Sequence, residues 1–201
     1  MVLDVITRNI QAPIPRCMLF ADDIVLIAES RNDFNINLER WRTSLEGYEL
    51  RLCHSKTEYL CANFSEEAHE EEVAVCIGEA RVPQTNTFKY LGSIIQNNGD
   101  ISADVTHRIL TGWLRWRAAT GVLCDGSVPL KLKGKFYRVA IRPSLLYGSE
   151  CWPLRKAQER RLEAAELRML RWNCGNTMTD HISNVIFRRL LGVESISKKI
   201  K

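Results

Sequence analysis

The chain has 201 residues, 45% of them hydrophobic, and a formal net charge of +4. That is enough apolar content for one or two small domains, each with a core. No apolar run reaches the length of a membrane-spanning helix, and the N-terminus has no signal-peptide pattern. We therefore expect a globular protein with no membrane partner.

The charge is divided unevenly along the chain. Residues 1–99 carry a net charge of −6, whereas residues 100–201 carry 19 basic and 9 acidic side chains, a net of +10. Basic helices can simply be solvated faces, but they also suit phosphate backbones. A twofold excess of basic residues over several helices favours nucleic-acid contact by the second half.

Cysteine usage indicates the compartment. Seven cysteines are scattered without a CxxC pair, at positions 17, 53, 61, 76, 124, 151 and 174. This pattern predicts reduced, mostly buried thiols and an intracellular location, in the nucleus or cytoplasm. Cys174 and His181 could supply half of a zinc site, although apolar packing is the commoner role for such a cysteine.

The first predicted element in chain order is a β-hairpin that carries two adjacent carboxylates. Apolar runs at Cys17–Phe20 and Ile24–Ala28 flank a turn that contains Asp22 and Asp23. Turn chemistry alone could explain one Asp, but neighbouring like charges repel, and a bound divalent cation would relieve that repulsion. The second run is apolar at every position, so we expect a strand buried on both faces.

A helix and several strands follow. We predict a helix over Asn32–Tyr48, capped by Asn32 or Asp33, because four apolar residues recur at helical spacing. These residues are Phe34, Leu38, Trp41 and Leu45. Residues 57–64, 73–77 and 88–95 read as strands, with a solvated acidic loop at 66–72. Near Asn97–Asp100 the periodicity becomes helical, and we place a domain boundary between residues 99 and 100.

The second half reads as helices. The first is capped by Asp100 or Ser102, and its apolar face carries Val105, Ile109, Trp113 and Trp116. Its tryptophans could stack on bases, although at this spacing tryptophan is more often core. Pro129 opens a second helix, with Leu132, Phe136, Val139 and Ala140 inward and Lys131, Lys135, Arg138 and Arg142 outward. A third, after Pro153, carries Leu162, Ala165, Glu166 and Met169.

Four short motifs in a fixed order point to a family. They are Phe20-Ala21-Asp22-Asp23, Ser55-Lys56-Thr57-Glu58, Tyr90-Leu91-Gly92 and Tyr147-Gly148-Ser149-Glu150-Cys151-Trp152. This series resembles the reverse transcriptase of LINE-type (non-LTR) retrotransposons, from about Arg16 to about Lys199. The resemblance implies an α+β fold, with the C-terminal part of a polymerase palm in residues 1–99 and an all-helical thumb-like region in residues 100–201.

The resemblance also implies roles for particular residues. Asp22 would bind catalytic Mg²⁺ with help from Asp23, and Lys56 would help pyrophosphate to leave, unless it is merely an exposed strand-end lysine. Tyr90, Leu91 and Gly92 would seat the primer end of an RNA-template/DNA-primer duplex. Further nucleic-acid contacts are expected from basic residues of the thumb-like region, namely Arg108, Arg115, Lys131, Lys135 and Arg138. The segment from Tyr147 to Trp152 marks the family without evident chemistry.

The chain also departs from the family pattern. The family's fingers and a further metal-binding Asp lie upstream, whereas Asp4 is the single acidic residue before Arg16 and its surroundings do not match. We therefore expect a fragment that does not polymerise alone; the alternatives are a non-catalytic nucleic-acid-binding module or a non-functional relic. The hairpin would then have an open edge that favours self-association, unless Val2–Ile6 supplies a strand.

Overall fold

The structure, a computed structural model, describes residues 2–62, 74–153 and 155–200. The chain divides into two units, Met1–Phe88 and Lys89–Lys201. The division precedes the boundary predicted at 99/100, because the strand Ser93–Gln96 packs against the helix Ser102–Ala118 within the second unit. The described elements are helices and small two-stranded sheets.

The first unit combines two helices with short strands. Its elements are α1 (Val2–Thr7), β1 (Cys17–Phe20), β2 (Asp23–Leu26), α2 (Arg31–Glu46), β3 (Tyr59–Leu60), β4 (Cys76–Ile77), β5 (Ala80–Arg81) and β6 (Gln84–Thr85). Strands β3 and β6 pair in parallel, whereas β4 and β5 form an antiparallel pair. The strands predicted at 57–64 and 73–77 are shorter here. Parts of both, and the predicted acidic loop at 66–72, lie outside the described residues.

The predicted first hairpin is confirmed, but its second strand is less buried than expected. Strands β1 and β2 pair antiparallel, from Cys17 opposite Leu26 to Phe20 opposite Asp23. The expectation of burial on both faces is wrong, because β2 ends at Leu26 and Ile27 is 43% exposed. One face of the hairpin packs on the core formed with α2, and the sheet has two strands in the described residues.

Helix α2 confirms the predicted apolar face. Leu38, Trp41 and Leu45 are buried. Because they recur every three or four residues, they lie on one face of the helix. The predicted cap at Asn32 or Asp33 is wrong, because the Ser30 hydroxyl caps the helix and accepts a hydrogen bond from the Asp33 amide at 3.1 Å. Ser is among the strongest N-cap residues, and here it comes one residue before the helix begins.

The N-terminal segment is a helix rather than the strand considered from sequence. Leu3 and Ile6 of α1 lie one turn apart and pack against the cluster that contains Trp41 and Leu45. The β-branched residues of this segment favour a strand locally. Packing against the core overrides that preference, because it buries Leu3 and Ile6 on one helical face.

The second unit consists of one β-hairpin followed by helices. Its elements are β7 (Thr87–Tyr90, which begins in the first unit), β8 (Ser93–Gln96), α3 (Ser102–Ala118), α4 (Thr120–Leu123), α5 (Leu130–Phe136), α6 (Arg142–Leu146), α7 (Lys156–Asn173) and α8 (Asn184–Leu191). The single strand predicted at 88–95 is therefore wrong, because the chain reverses at Leu91–Gly92. None of the described helices has the length and apolar character that crossing a membrane requires.

Two predicted helical faces form the core of this unit. Val105 and Trp116 of α3 and Leu162 and Met169 of α7 are buried. Trp116 packs against Trp113 edge-on and against Trp172 at a tilt, at centroid distances of 5.7 and 5.3 Å. The assignment of Trp116 to the core is confirmed.

The third predicted face is wrong over part of its length. A π-helical turn over Tyr137–Ile141 joins α5 to α6. The inward face is already offset before this turn, because Lys133 and Gly134 of α5 are buried while Leu132 is exposed. It continues through Tyr137 and Ile141, which are buried, and leaves Val139 70% exposed.

A buried carboxylate joins three parts of the second unit. Glu166 is fully buried and accepts hydrogen bonds from Arg142 and Arg188, each at 2.7 Å, and from the Ile196 amide at 3.0 Å. The Tyr137 hydroxyl also donates to it, and burial followed by the charge of Glu166 raises the pKa of Tyr137 well above its usual value. The predicted outward position of Arg142 is wrong, because its guanidinium neutralises this buried charge.

Candidate functional site

The first candidate site is the tip of the β1–β2 hairpin. Ala21 and Asp22 form the two-residue turn, with Ala21 in the left-handed region at φ 54°, and Asp23 is the first residue of β2. Asp22 and Asp23 are both exposed. The local sequence thus places one carboxylate in the turn and the next at the start of the strand.

The oxygens of these two carboxylates are open to solvent. Neither accepts a hydrogen bond or joins an ion pair within the described part of the chain, so their oxygens are available to a ligand. Mg²⁺ prefers carboxylate oxygens and keeps several waters when few protein ligands are present. In the described ranges no group of three or more His, Cys, Asp or Glu side chains is positioned to hold a metal.

Lys56 lies in an exposed single-turn 3₁₀ helix, His54–Lys56. Among the described residues, no hydrogen bond or ion pair joins it to Asp22 or Asp23, so its predicted role stays a prediction. The same turn contains a feature that sequence reasoning missed. The Ser55 hydroxyl lies 3.3 Å from the Cys53 sulfur, and with neighbouring amides and the Lys56 charge it lowers the pKa of the thiol.

The cysteines as a set differ from the expectation of mostly buried thiols. None of the seven forms a disulfide; Cys17 is buried, three are half-buried, and Cys53, Cys124 and Cys151 are exposed. Cys174 is half-buried, and burial raises the pKa of its thiol. His181 is exposed, and the described residues give the pair no further metal ligand.

The second candidate site is the tip of the β7–β8 hairpin, which contains the predicted primer-seating residues. Leu91 and Gly92 form its turn, and both lie in the left-handed region, at φ 48° and 83°. Such a turn matches the twist of a tight hairpin. Gly92 adopts this conformation readily, whereas the side chain of Leu91 disfavours it.

Two segments of the second unit converge on this turn. The Tyr147 hydroxyl donates a hydrogen bond to the Leu91 carbonyl at 2.9 Å. The Arg108 guanidinium donates to the Gly92 carbonyl at 2.6 Å and to the Ser93 hydroxyl at 2.9 Å. The same guanidinium lies over the Tyr147 ring, 4.5 Å from its centroid. Two motifs far apart in sequence therefore meet at one turn.

Asp104 of α3 connects the β7–β8 hairpin to the segment that contains Trp152. Its carboxylate lies 3.5 Å from the Arg108 guanidinium and accepts hydrogen bonds from the Ile94 amide and the Trp152 indole, at 3.0 and 2.9 Å. Sequence reasoning missed this role. The available signal was the Asp104–Arg108 pair, whose four-residue spacing brings opposite charges together on a helix.

The predicted nucleic-acid contacts divide into two groups. Four of them are exposed on the second unit: Arg115, Lys131, Lys135 and Arg138. The predicted contact through Arg108 is wrong, because this side chain is only 5% exposed and its guanidinium donates to the hairpin and pairs with Asp104. Arg138 also donates to the Gly192 carbonyl at 2.6 Å, so part of its guanidinium is engaged within the unit.

Comparison with known proteins gives one informative similarity. No protein-family model matches the chain, and no solved structure matches it. A curated protein of Caenorhabditis elegans, described as an uncharacterized transposon-derived protein, is 23% identical over 176 residues. The alignment covers 88% of this chain, which spans only 62% of the length of that relative. The similarity indicates a transposon origin.

Proposed function

We propose that the chain descends from the reverse transcriptase of a LINE-type retrotransposon and binds nucleic acid through the unit Lys89–Lys201. The ordered motifs from Phe20 to Trp152 support the polymerase descent, and the transposon-derived relative supports the wider origin. Under this proposal, the carboxylate hairpin corresponds to the metal-binding part of a palm, and the basic helices correspond to a thumb.

One observation carries the proposed binding function. The second unit has 20 basic and 9 acidic residues, a net charge of +11. Arg115, Lys131 and Lys135 are exposed, so their charges are available to an external anion. Backbone phosphates are the anions that such a distributed positive charge recognises, without preference for sequence.

The hairpin carboxylates complete the proposal. Asp22 and Asp23 would hold Mg²⁺, which supplies Lewis-acid chemistry at phosphate oxygens when it is bound. In a polymerase the ligands for two such ions come from more than one strand. We therefore propose binding, rather than nucleotide addition, as the activity of this 201-residue chain, and a primer-extension assay separates the two.

Binding to a short DNA duplex, followed by fluorescence anisotropy at several salt concentrations, tests the proposed function. Replacing Lys131 and Lys135 together with glutamine is expected to weaken binding and to flatten the dependence of log K on log salt by about 0.9 per lost phosphate contact. The matched control is Arg81→Gln, an exposed cation of the first unit. Wild-type binding that salt does not weaken, or an equal effect of the control, would contradict the proposal.

A calorimetric titration with Mg²⁺ tests the hairpin. We expect a dissociation constant of about a millimolar or weaker, because two carboxylates supply few of the ligands that Mg²⁺ requires. The double replacement Asp22→Asn with Asp23→Asn should abolish the heat of Mg²⁺ binding that the wild type shows. Glu58→Gln, which removes an exposed carboxylate outside the hairpin, should leave it unchanged. Affinity retained in the double variant would place the cation elsewhere.

A further inference from the structure

Helices α3 and α7 pack side by side, and two contacts identify the edges along which they meet. The Arg161 guanidinium donates a hydrogen bond to the Thr106 hydroxyl at 2.7 Å. Farther along, the rings of Trp113 and Trp172 lie 5.3 Å apart between their centroids. Because the residue numbers of the partners rise together, the two helices run in the same direction. We call the solvent-facing line between these two edges the α3–α7 seam.

Apolar side chains lie along this seam and face solvent. Leu110 comes four residues after Thr106 and three before Trp113, so it shares their edge of α3, and Leu114 lies one turn farther along. Leu110, Leu114 and Trp172 are 57%, 67% and 42% exposed. We call these three residues the seam patch. Neighbouring exposed apolar side chains with a polar border are typical of protein interaction sites.

Exposed arginines border the seam patch. Arg117 comes four residues after Trp113 on α3, while Arg168 and Arg161 lie one and three turns before Trp172 on α7. The carboxylates of the same two helices are buried or half-buried, namely Asp104, Glu159, Glu163 and Glu166. The border of the patch is therefore positively charged, and a complementary partner supplies acidic side chains.

The combination of apolar centre and cationic border distinguishes between the possible occupants. A second copy of the chain, placed with the same face on itself, would bring one set of arginines against another. A nucleic-acid backbone would pair with the arginines but would leave Leu110 and Leu114 without an apolar partner. An amphipathic helix meets both requirements, because its apolar face contacts the leucines while flanking carboxylates contact the arginines.

We propose that the seam patch binds an acidic amphipathic helix of a partner protein. The α3 edge from Thr106 to Arg117 spans about three turns of helix, so a partner helix of that length covers it. Trp172 and the bordering arginines are residue types that dominate binding energy at protein interfaces. This inference is independent of the proposed nucleic-acid binding.

The test uses the full chain and a fluorescent helical peptide of about 18 residues, in which leucine recurs at helical spacing and glutamate flanks it. A second peptide carries lysine in place of every glutamate. By fluorescence anisotropy, we expect the glutamate peptide to bind at least about tenfold more tightly than the lysine peptide. Replacing Leu110 and Leu114 together with glutamine should weaken binding of the glutamate peptide about tenfold or more.

The matched control replaces Leu132 and Leu190 with glutamine, because these are exposed leucines on other helices of the same unit. It should bind the glutamate peptide like the wild type. Melting temperatures show whether each variant is folded, and glutamine is a good helix former. The single change Arg168→Gln should weaken the glutamate peptide about threefold, which tests the border without altering the leucines.

Four results would overturn the inference. They are equal binding of the two peptides, equal weakening by the two leucine pairs, no peptide binding at low salt, and self-association of the wild type that the change at Leu110 and Leu114 removes. The last result would make a second copy the occupant. Loss of duplex binding in that variant, with peptide binding unchanged, would assign the patch to nucleic acid and leave the proposed function standing.

Discussion

The substitution Gly134→Ala is expected to destabilise the second unit strongly, because it forces two of its helices apart. A Cβ at Gly134 would lie 1.7 Å from the Leu191 carbonyl oxygen and 2.7 Å from its carbon. Both are backbone atoms, so no side-chain rotation can relieve the overlap, and α5 and α8 must separate. We expect a loss of about 3 kcal/mol or more, at or above the upper end of overpacking costs.

Thermal and urea unfolding followed by circular dichroism would measure this effect, which should lower the Tm by about 10 °C or more. Gly121→Ala is the control, because Gly121 lies in α4 and a Cβ there meets no atom within 4 Å. That change should be neutral or stabilise the unit by up to about 1 kcal/mol, since alanine is the better helix former. Equal melting of the two variants would contradict the close contact of α5 with α8.

Replacing Glu166 with alanine should have a comparably large effect. Glu166 is the shared partner of two guanidinium groups, and its removal leaves Arg142 buried without a carboxylate. Breaking a buried ion pair from one side costs about 3–5 kcal/mol, because the remaining charge stays desolvated. The Tyr137 hydroxyl and the Ile196 amide would lose an acceptor as well.

The same unfolding measurements test this prediction. Glu159→Ala is the control on the same helix, and it should change stability by no more than about 1 kcal/mol because that side chain is only half-buried. Glu166→Gln keeps the shape but loses the charge, so it should also destabilise the unit. If Glu166→Ala melts at the same temperature as Glu159→Ala, the Glu166 carboxylate does not stabilise the unit in the way that the structure indicates.

Several features of this protein follow from short stretches of sequence. The β1–β2 hairpin, the apolar face of α2 and the core position of Trp116 were predictable, because alternation, helical spacing and turn residues act over a few neighbours. The two carboxylates at the hairpin tip are likewise visible in the sequence. Their use as a cation site stays a prediction.

Predictions from the local sequence pattern are wrong where packing changes the backbone conformation. Val2–Thr7 has strand-forming residues but becomes a helix on the core, and α5 buries Lys133, which donates a hydrogen bond to the Asn173 carbonyl, rather than Leu132. Leu91 sits in a left-handed turn that its residue type disfavours. In each case the contacts around the segment outweigh its intrinsic preference.

By itself, the sequence determined where the carboxylate hairpin lies, which face of α2 is apolar and how charge divides between the two halves of the chain. Only the tertiary structure decided which charged side chains remain exposed to an external partner. Arg142 pairs with a carboxylate 24 residues away, Arg108 reaches a carbonyl 16 residues before it, and Tyr147 contacts a turn 56 residues earlier. A basic residue looks the same in sequence whether it is solvated or buried, because the partner that permits its burial is set by the fold.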